Sequence, residues 1–217
     1  DGEIRAGAAM TGAILCTGRD IRKDFDRRSV FRGVSFTVGT GETLLITGRN
    51  GSGKSTLVRI ICGVLAPTAG SVALTIDGSA AAPMHHLAGL VSPYLQMFEE
   101  FSPMENLQIA AGLRGTAFDG KRAAGLLERV GLPGRLNDPV RTFSSGMKQR
   151  VKYAFALQHE PPLLVLDEPT ANLDDEGIAV AREVMAAQRR RGALVVATND
   201  PGDVATFERS VDLNAAS

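Results

Sequence analysis

One nine-residue stretch, Gly48-Arg49-Asn50-Gly51-Ser52-Gly53-Lys54-Ser55-Thr56, limits what this chain can fold into more than any other. Two glycines separated by four residues, then a lysine and a hydroxyl residue, form the pattern of a phosphate-cradling loop. Upstream, Thr43-Leu44-Leu45-Ile46-Thr47 is a short apolar run that reads as a buried parallel strand. Downstream, Leu57-Val58-Arg59-Ile60-Ile61-Cys62 is apolar enough for a helix packed on a sheet. Gly48, Gly51 and Gly53 allow the backbone conformations and close approach that bring N–H groups onto phosphate oxygens. A helix beginning near Lys54 aims its unpaired N–H groups and positive dipole end at the same anion. Lys54 adds a mobile cation for β- and γ-phosphates, and the Ser55 hydroxyl can ligate Mg²⁺. A glycine-rich turn that binds nothing has no need of both flanks in register, so the stretch reads as a nucleotide site.

The rest of the composition sets bounds. A length of 217 residues suits one large α/β domain with room for a small subdomain. Lys+Arg and Asp+Glu balance at 24 each, so no overall field favours nucleic acid or an anionic surface, and no nucleic-acid partner is expected. No apolar run approaches the ~18 residues a membrane helix needs, which reads as a soluble chain. Cys16 and Cys62 fall in strand and helix contexts and read as buried thiols of a reducing compartment. His85 and His86 have no Cys or carboxylate at ligand spacing and read as a solvated pair. The chain begins at Asp1, and residues 1–10 are Gly/Ala-rich and end in Met10, a candidate native start; they are expected to be a leader or disordered segment.

Residues 13–25 and 29–38 read as strands, the second ending at the turn Gly39-Thr40-Gly41-Glu42. After the loop helix, residues 71–76 read as a strand and Asp77-Gly78 as a tight hairpin turn. Ser102-Pro103-Met104-Glu105 is a helix start with Ser as cap, Pro at the first position and Glu reaching back. A second amphipathic run over 121–130 stops at Gly131 and Pro133. Together these predict a helical insertion over roughly residues 98–142. Phe101, between Glu100 and the cap, reads equally as a hydrophobic staple for that helix or as part of a docking surface with Glu99 and Glu100. Leu163-Leu164-Val165-Leu166-Asp167-Glu168 predicts a buried strand with two carboxylates at its C-terminal edge, where open α/β sheets place ligands. With a phosphate loop upstream, Asp167 is expected to hold Mg²⁺ through water, and Glu168 to orient and deprotonate an attacking water.

Between the two sites lies Phe143-Ser144-Ser145-Gly146-Met147-Lys148-Gln149-Arg150. Alone, a Ser-Ser-Gly before an amphipathic helix is most often a cap. Here it resembles the signature motif of ATP-binding cassette ATPases, written LSGGQ and followed by a basic-Gln-Arg run. Phe143 stands for Leu, Ser145 for the first Gly and Met147 for Gln, while Ser144 and Gly146 match. The resemblance covers nearly the whole chain after Met10, with the family's motifs in order. It implies an α/β P-loop NTPase with a mostly parallel core sheet, an antiparallel β subdomain and an inserted α-helical subdomain, residues 11–217 forming one domain.

The resemblance also implies roles. Phe25, which by itself reads as core, matches the aromatic that stacks on adenine. Gly48, Asn50, Gly51, Gly53, Lys54, Ser55 and Thr56 match the ATP-binding loop, and Ser55, Gln96 and Asp167 match the Mg²⁺ site. Gln96 matches the glutamine that senses metal and water, and Glu168 the base. Asn199 falls where the family usually has a histidine, which implies slow hydrolysis. Ser144, Ser145, Gly146 and Met147 match the signature that acts on a partner's ATP. Asn172 and Asp174 match a loop that reports across a dimer, and Asp174 and Asp175 are also placed to cap the next helix. The implied cofactors are ATP and Mg²⁺. The implied partners are a second copy or homologous cassette, sandwiching two ATP head to tail, and transmembrane permease subunits on separate chains at the cytoplasmic face of a membrane. Two other readings compete: a soluble superfamily member acting on DNA or ribosomes, and a nucleotide-gated switch that scarcely turns over. The first lacks the coiled coils or fused cassettes it tends to carry, and the second rests on Asn199 alone. Within transporters the likeness is to short exporter-type cassettes, with no room after the Asn199 region for a C-terminal regulatory domain, and more loosely to the ATPase subunits of haem exporters of cytochrome c maturation.

Overall fold

A computed structural model of the chain describes residues 12–26, 28–81, 83–200, 202, 207 and 209–216, so the expected leader at 1–10 lies outside the described residues. Its centre is a five-stranded parallel sheet in the order β6-β7-β8-β3-β9. The strands are β3 (Thr43–Thr47), β6 (Ala88–Val91), β7 (Leu163–Asp167), β8 (Ala193–Ala197) and β9 (Ser210–Asp212). Every residue of β7 and β8 is buried, because helices or a second sheet cover both faces. Strand alternation divides these residues between two cores. Leu44, Ile46, Leu163, Val165 and Val195 face α1 (Lys54–Ile61) and the second sheet. Leu45, Leu164, Leu166, Leu194 and Val196 face the other helices.

The second sheet is antiparallel, β2-β1-β4-β5, built from β1 (Ile14–Phe25), β2 (Arg28–Gly39), β4 (Ala69–Ile76) and β5 (Ser79–Ala80). Asp77 and Gly78, both at positive φ (51° and 77°), turn β4 into β5 as a two-residue hairpin requires. Burial pushes the thiol of Cys16 up to about 12 and that of Cys62 upward as well, so both stay protonated core residues. His85 and His86 lie in the short α2 (Met84–Leu87), their rings 4.3 Å apart. Among the described residues no cluster of His, Cys, Asp or Glu could hold a metal by itself, and no helix is long and apolar enough to cross a membrane.

The helical layer holds α3 (Pro103–Leu113), α4 (Gly120–Arg129) and α5 (Ser145–Leu157), with α6 (Asp175–Arg189) packed along β8. The capping box forms as expected: Ser102 Oγ accepts the Glu105 N–H at 3.2 Å, and Glu105 Oε2 accepts the Ser102 N–H at 2.7 Å. The staple does not form, because the residue it needs at the fourth helical position is Asn106. That side chain is buried and spends its amide on the carbonyls of Phe98 (3.0 Å) and Ser102 (2.9 Å). Phe101 therefore finds no apolar partner there and stands 42% exposed, its ring 6.0 Å from that of Phe98. Beyond the expected insertion, α5 packs on α3, α4 and the β6 edge together.

Candidate functional site

The carboxyl ends of β3 and β7 open on one side of the sheet, with β8 between them. From β3 the chain enters the glycine loop, where Gly48, Gly51 and Gly53 all have positive φ (145°, 82° and 101°). At Gly53 a Cβ would lie 2.5 Å from Val30 Cγ1 and 2.9 Å from Phe31 Cδ1, so this turn has room only for glycine. Gly53 is also the N-cap of α1, which has no side-chain cap and no acid in its first turn. The first N–H groups of α1 are thus left for an anion. Lys54 is buried and crosses the loop to donate to the Gly48 carbonyl at 2.9 Å, with its ammonium 4.0 Å from Glu168 Oε1.

Loop residues 49–56 line a cavity of about 990 Å³, closed by Phe25, by residues 28–30 of β2, and by Pro93, Tyr94, Glu168 and Asn214. Phe25 is 47% exposed, and the Lys23 ammonium sits 4.9 Å from its ring centroid. Asn214 was not legible in the sequence; its Oδ1 accepts the Arg49 N–H at 3.0 Å and so holds the loop from the far end of the chain.

Asp167 ends β7 almost fully buried. Burial pushes its pKa up, against the opposing pull of the Ser55 and Ser92 hydroxyls and the Lys54 and Arg59 charges. Oδ2 accepts the Ser92 hydroxyl at 3.2 Å, while Oδ1 is buried without a hydrogen-bond partner among the described residues. An orphaned carboxylate oxygen facing a serine hydroxyl is a donor set that fits a small hard cation such as Mg²⁺, which takes few protein ligands. Glu168 follows at φ 49°, its N–H bonded to the Ala197 carbonyl at 2.8 Å. Burial raises its pKa, Lys54 lowers it and Asp167 raises it again. A carboxylate so raised, on the cavity wall, suits a general base.

Asn199, just beyond β8, does not line the cavity; its Nδ2 donates to Asn50 Oδ1 at 3.0 Å, tying the loop to the end of β8. Gln96, expected at the metal and the attacking water, is exposed and does not line the cavity. β6 stops at Val91, and the Leu95 N–H bonds the Ser92 carbonyl at 3.1 Å. That turn brings Pro93 and Tyr94 to the cavity and carries Gln96 past it.

Ser144 caps α5, accepting the Met147 N–H at 3.2 Å; Ser144 and Ser145 are exposed, and neither they nor Gly146 and Met147 line this chain's cavity. Gly146 packs on the Asn172 carbonyl, only 3.2 Å from where a Cβ would be. Asp174 caps α6, accepting the Gly177 N–H at 2.9 Å, and also accepts from Arg150 at 2.7 Å. Arg150, buried and not anticipated, donates as well to the Gly131 carbonyl at 3.2 Å. One guanidinium thus ties α5, the end of α4 and the start of α6.

A phosphate loop between β3 and α1, facing an Asp-Glu strand end across the same sheet edge, defines a P-loop NTPase. The family model described as ABC transporter matches residues 31–171. The chain belongs to the ABC transporter family, as an ATP-binding subunit of its ATPase type. It is 39% identical over 201 residues to the cytochrome c biogenesis ATP-binding export protein CcmA of Brucella abortus, covering 87% of this chain and 91% of that protein. Among solved structures it is similar to an ATP-binding subunit of an ABC transporter (TM-score 0.79, 29% identity, 91% of this chain and 85% of that one). It shares its fold with the ATP-binding cassette MJ0796, solved as a dimer in a post-hydrolysis state bound to ADP and Pi (TM-score 0.80, 23% identity, 91% and 93% covered).

Proposed function

We propose that this chain drives transport by closing on a second cassette around ATP and Mg²⁺, with the spanning subunits carried on separate chains at the cytoplasmic face of a membrane. The observation that carries this is the division of the site. The phosphate loop, Lys54 and Glu168 meet on one cavity, while Ser144 and Ser145 at the start of α5 are exposed and do not line it. Such a half-site is completed by the Ser144 end of another cassette, whose hydroxyl and helix-start N–H groups suit a γ-phosphate. The ADP-bound MJ0796 dimer supports that arrangement, and the name of the Brucella relative supports export as the direction.

In this mechanism Phe25 stacks on the base, and the loop N–H groups and α1 hold the phosphates. Lys54 exchanges the Gly48 carbonyl for phosphate oxygens. Ser55 and Asp167 would hold Mg²⁺, which neutralises charge on the transferring phosphoryl group. Glu168 accepts the proton of the attacking water, and loss of the γ-phosphate removes the bridge between cassettes.

Asn199 makes this hydrolysis slow. Its amide is engaged with Asn50 and cannot become cationic, unlike the histidine usual in the family. Losing one such contact in the transition state costs ~1–4 kcal/mol, roughly 10- to 10³-fold in rate. Asn199→His in the assembled dimer is expected to raise turnover with ATP affinity little changed. A variant no faster than the native chain would remove the slow-switch reading.

The exposed aromatics Phe98 and Phe101, flanked by Glu99 and Glu100, suit a docking surface for a spanning subunit. Phe101→Ala should leave ATP binding and thermal stability unchanged while weakening co-purification with the membrane partner. A drop in stability with partner binding intact would return Phe101 to a packing role.

A further inference from the structure

The turn after β6 carries more than its exposed glutamine suggests. Ser92 is buried, and its hydroxyl bridges two groups, donating to Asp167 Oδ2 at 3.2 Å and accepting the Tyr94 N–H at 3.3 Å. With Oδ2 so engaged, the carboxylate cannot rotate freely, and the buried, unpartnered Oδ1 is the oxygen left to face a cation beside Ser55. The turn is itself held from outside the sheet. Lys152 of α5 donates to the Ser92 carbonyl at 3.1 Å and to the Pro93 carbonyl at 3.3 Å, two contacts that pin consecutive peptides. Desolvation of this partly buried ammonium lowers its pKa, so a side chain that would ordinarily remain in water is being spent on the turn. Lys152 lies on the same helix that Ser144 begins, about 12 Å further along at 1.5 Å per residue.

We propose that Ser92 is the positioning residue for the metal-facing carboxylate of Asp167, in the place the family resemblance assigned to Gln96, and that Lys152 couples this carboxylate to the signature helix α5. The proposal rests on reading the cavity as an ATP–Mg²⁺ site. Its chemistry is that of an outer-shell partner: the hydroxyl fixes which carboxylate oxygen is presented, and removing such a partner typically weakens metal binding 10–100-fold. Because Lys152 grips carbonyls on the turn, a rigid displacement of α5 moves Ser92 with it. Closure on a second cassette through Ser144 then alters the carboxylate's presentation in the same chain, without any contact from Gln96.

The test uses the full chain with ATP and Mn²⁺ as the probe metal, following free Mn²⁺ by electron paramagnetic resonance. A fluorescent ATP analogue in EDTA measures metal-free nucleotide affinity separately. Ser92→Ala is expected to weaken Mn²⁺ binding to the nucleotide complex by about 10-fold or more, with metal-free nucleotide affinity and thermal midpoint near those of the parent. Ser92→Thr, which keeps the hydroxyl, should restore Mn²⁺ binding, and Gln96→Ala should leave it unchanged. Lys152→Met should weaken it by a smaller factor and Lys152→Arg should recover it. Parent-like Mn²⁺ binding by Ser92→Ala, or a loss confined to Gln96→Ala, overturns the proposal. If the parent chain binds no nucleotide even in EDTA, the reading of the cavity has failed and the proposal falls with it, an outcome the metal-free arm identifies by itself.

Discussion

Glu168→Gln is expected to lower ATP turnover ~10²–10⁴-fold, the usual range for a lost general base, while ATP binding persists and an ATP-bound dimer accumulates. The amide keeps the shape of the side chain, and the backbone that aims it is held independently by the Ala197 carbonyl. The phosphate loop keeps its backbone, and Lys54 keeps its bond to the Gly48 carbonyl while losing the carboxylate charge 4.0 Å away, so proton acceptance is the main loss to the chemistry. The pH dependence follows from the same environment. Burial raises the Glu168 pKa despite the nearby Lys54 charge. A protonated carboxyl cannot accept a proton, so turnover should fall as pH is lowered through that raised pKa, which lies above the ordinary glutamate value of ~4.3. The residual rate of Glu168→Gln should lack this limb. Sedimentation with ATP and Mg²⁺ and a pH–rate profile check both parts. A variant that stays monomeric at high concentration would exclude a homodimeric sandwich and leave a heterodimer, and an undiminished rate would remove Glu168 from the chemistry.

Gly53→Ala should cost both the fold and the site. Its φ of 101° is strained for any residue with a Cβ, at ~1–3 kcal/mol. The added methyl would also press on Val30 and on Phe31, a wholly buried core ring that has nowhere to move, adding ~1–3 kcal/mol of overpacking. Relief can come only by shifting the start of α1, whose N–H groups and Lys54 are the phosphate ligands in our reading. ATP affinity should therefore fall by ~10²-fold or more, equivalent to roughly 2.7 kcal/mol of misplaced contacts. Gly51→Ala provides the internal comparison, because its φ is also positive at 82° but nothing lies within 4 Å of the new Cβ. It should lose only ~1–2 kcal/mol of stability. Thermal melts and nucleotide titrations on both variants decide the matter. Equal losses in the two would show that the wall of Val30 and Phe31 is not what restricts position 53.

What the sequence determined by itself is what a few contiguous residues can carry. The glycine loop with its strand and helix flanks, the Asp167-Glu168 strand end and the capping box of Ser102 and Glu105 all hold their chemistry within a handful of neighbouring positions. Backbone geometry and local hydrogen bonds make such segments readable without knowing the rest of the fold. The hairpin at Asp77-Gly78 was readable for the same reason. The tertiary structure alone decided whatever depends on where one segment stops against another. Gln96 lies outside the cavity because β6 pairs with β7 only as far as Val91 opposite Leu166, and the turn after that pair puts Ser92 beside Asp167. Phe101 stays exposed because Asn106 is committed to carbonyls of the preceding loop. Asn214 reaches Arg49 across 165 positions of chain, and Arg150, in the sequence only the last residue of the signature's basic-Gln-Arg run, binds Asp174 and the Gly131 carbonyl. These contacts depend on strand register and helix docking, which are set by burying two cores on opposite faces of one sheet. That is a property of the whole chain, and no local pattern records it.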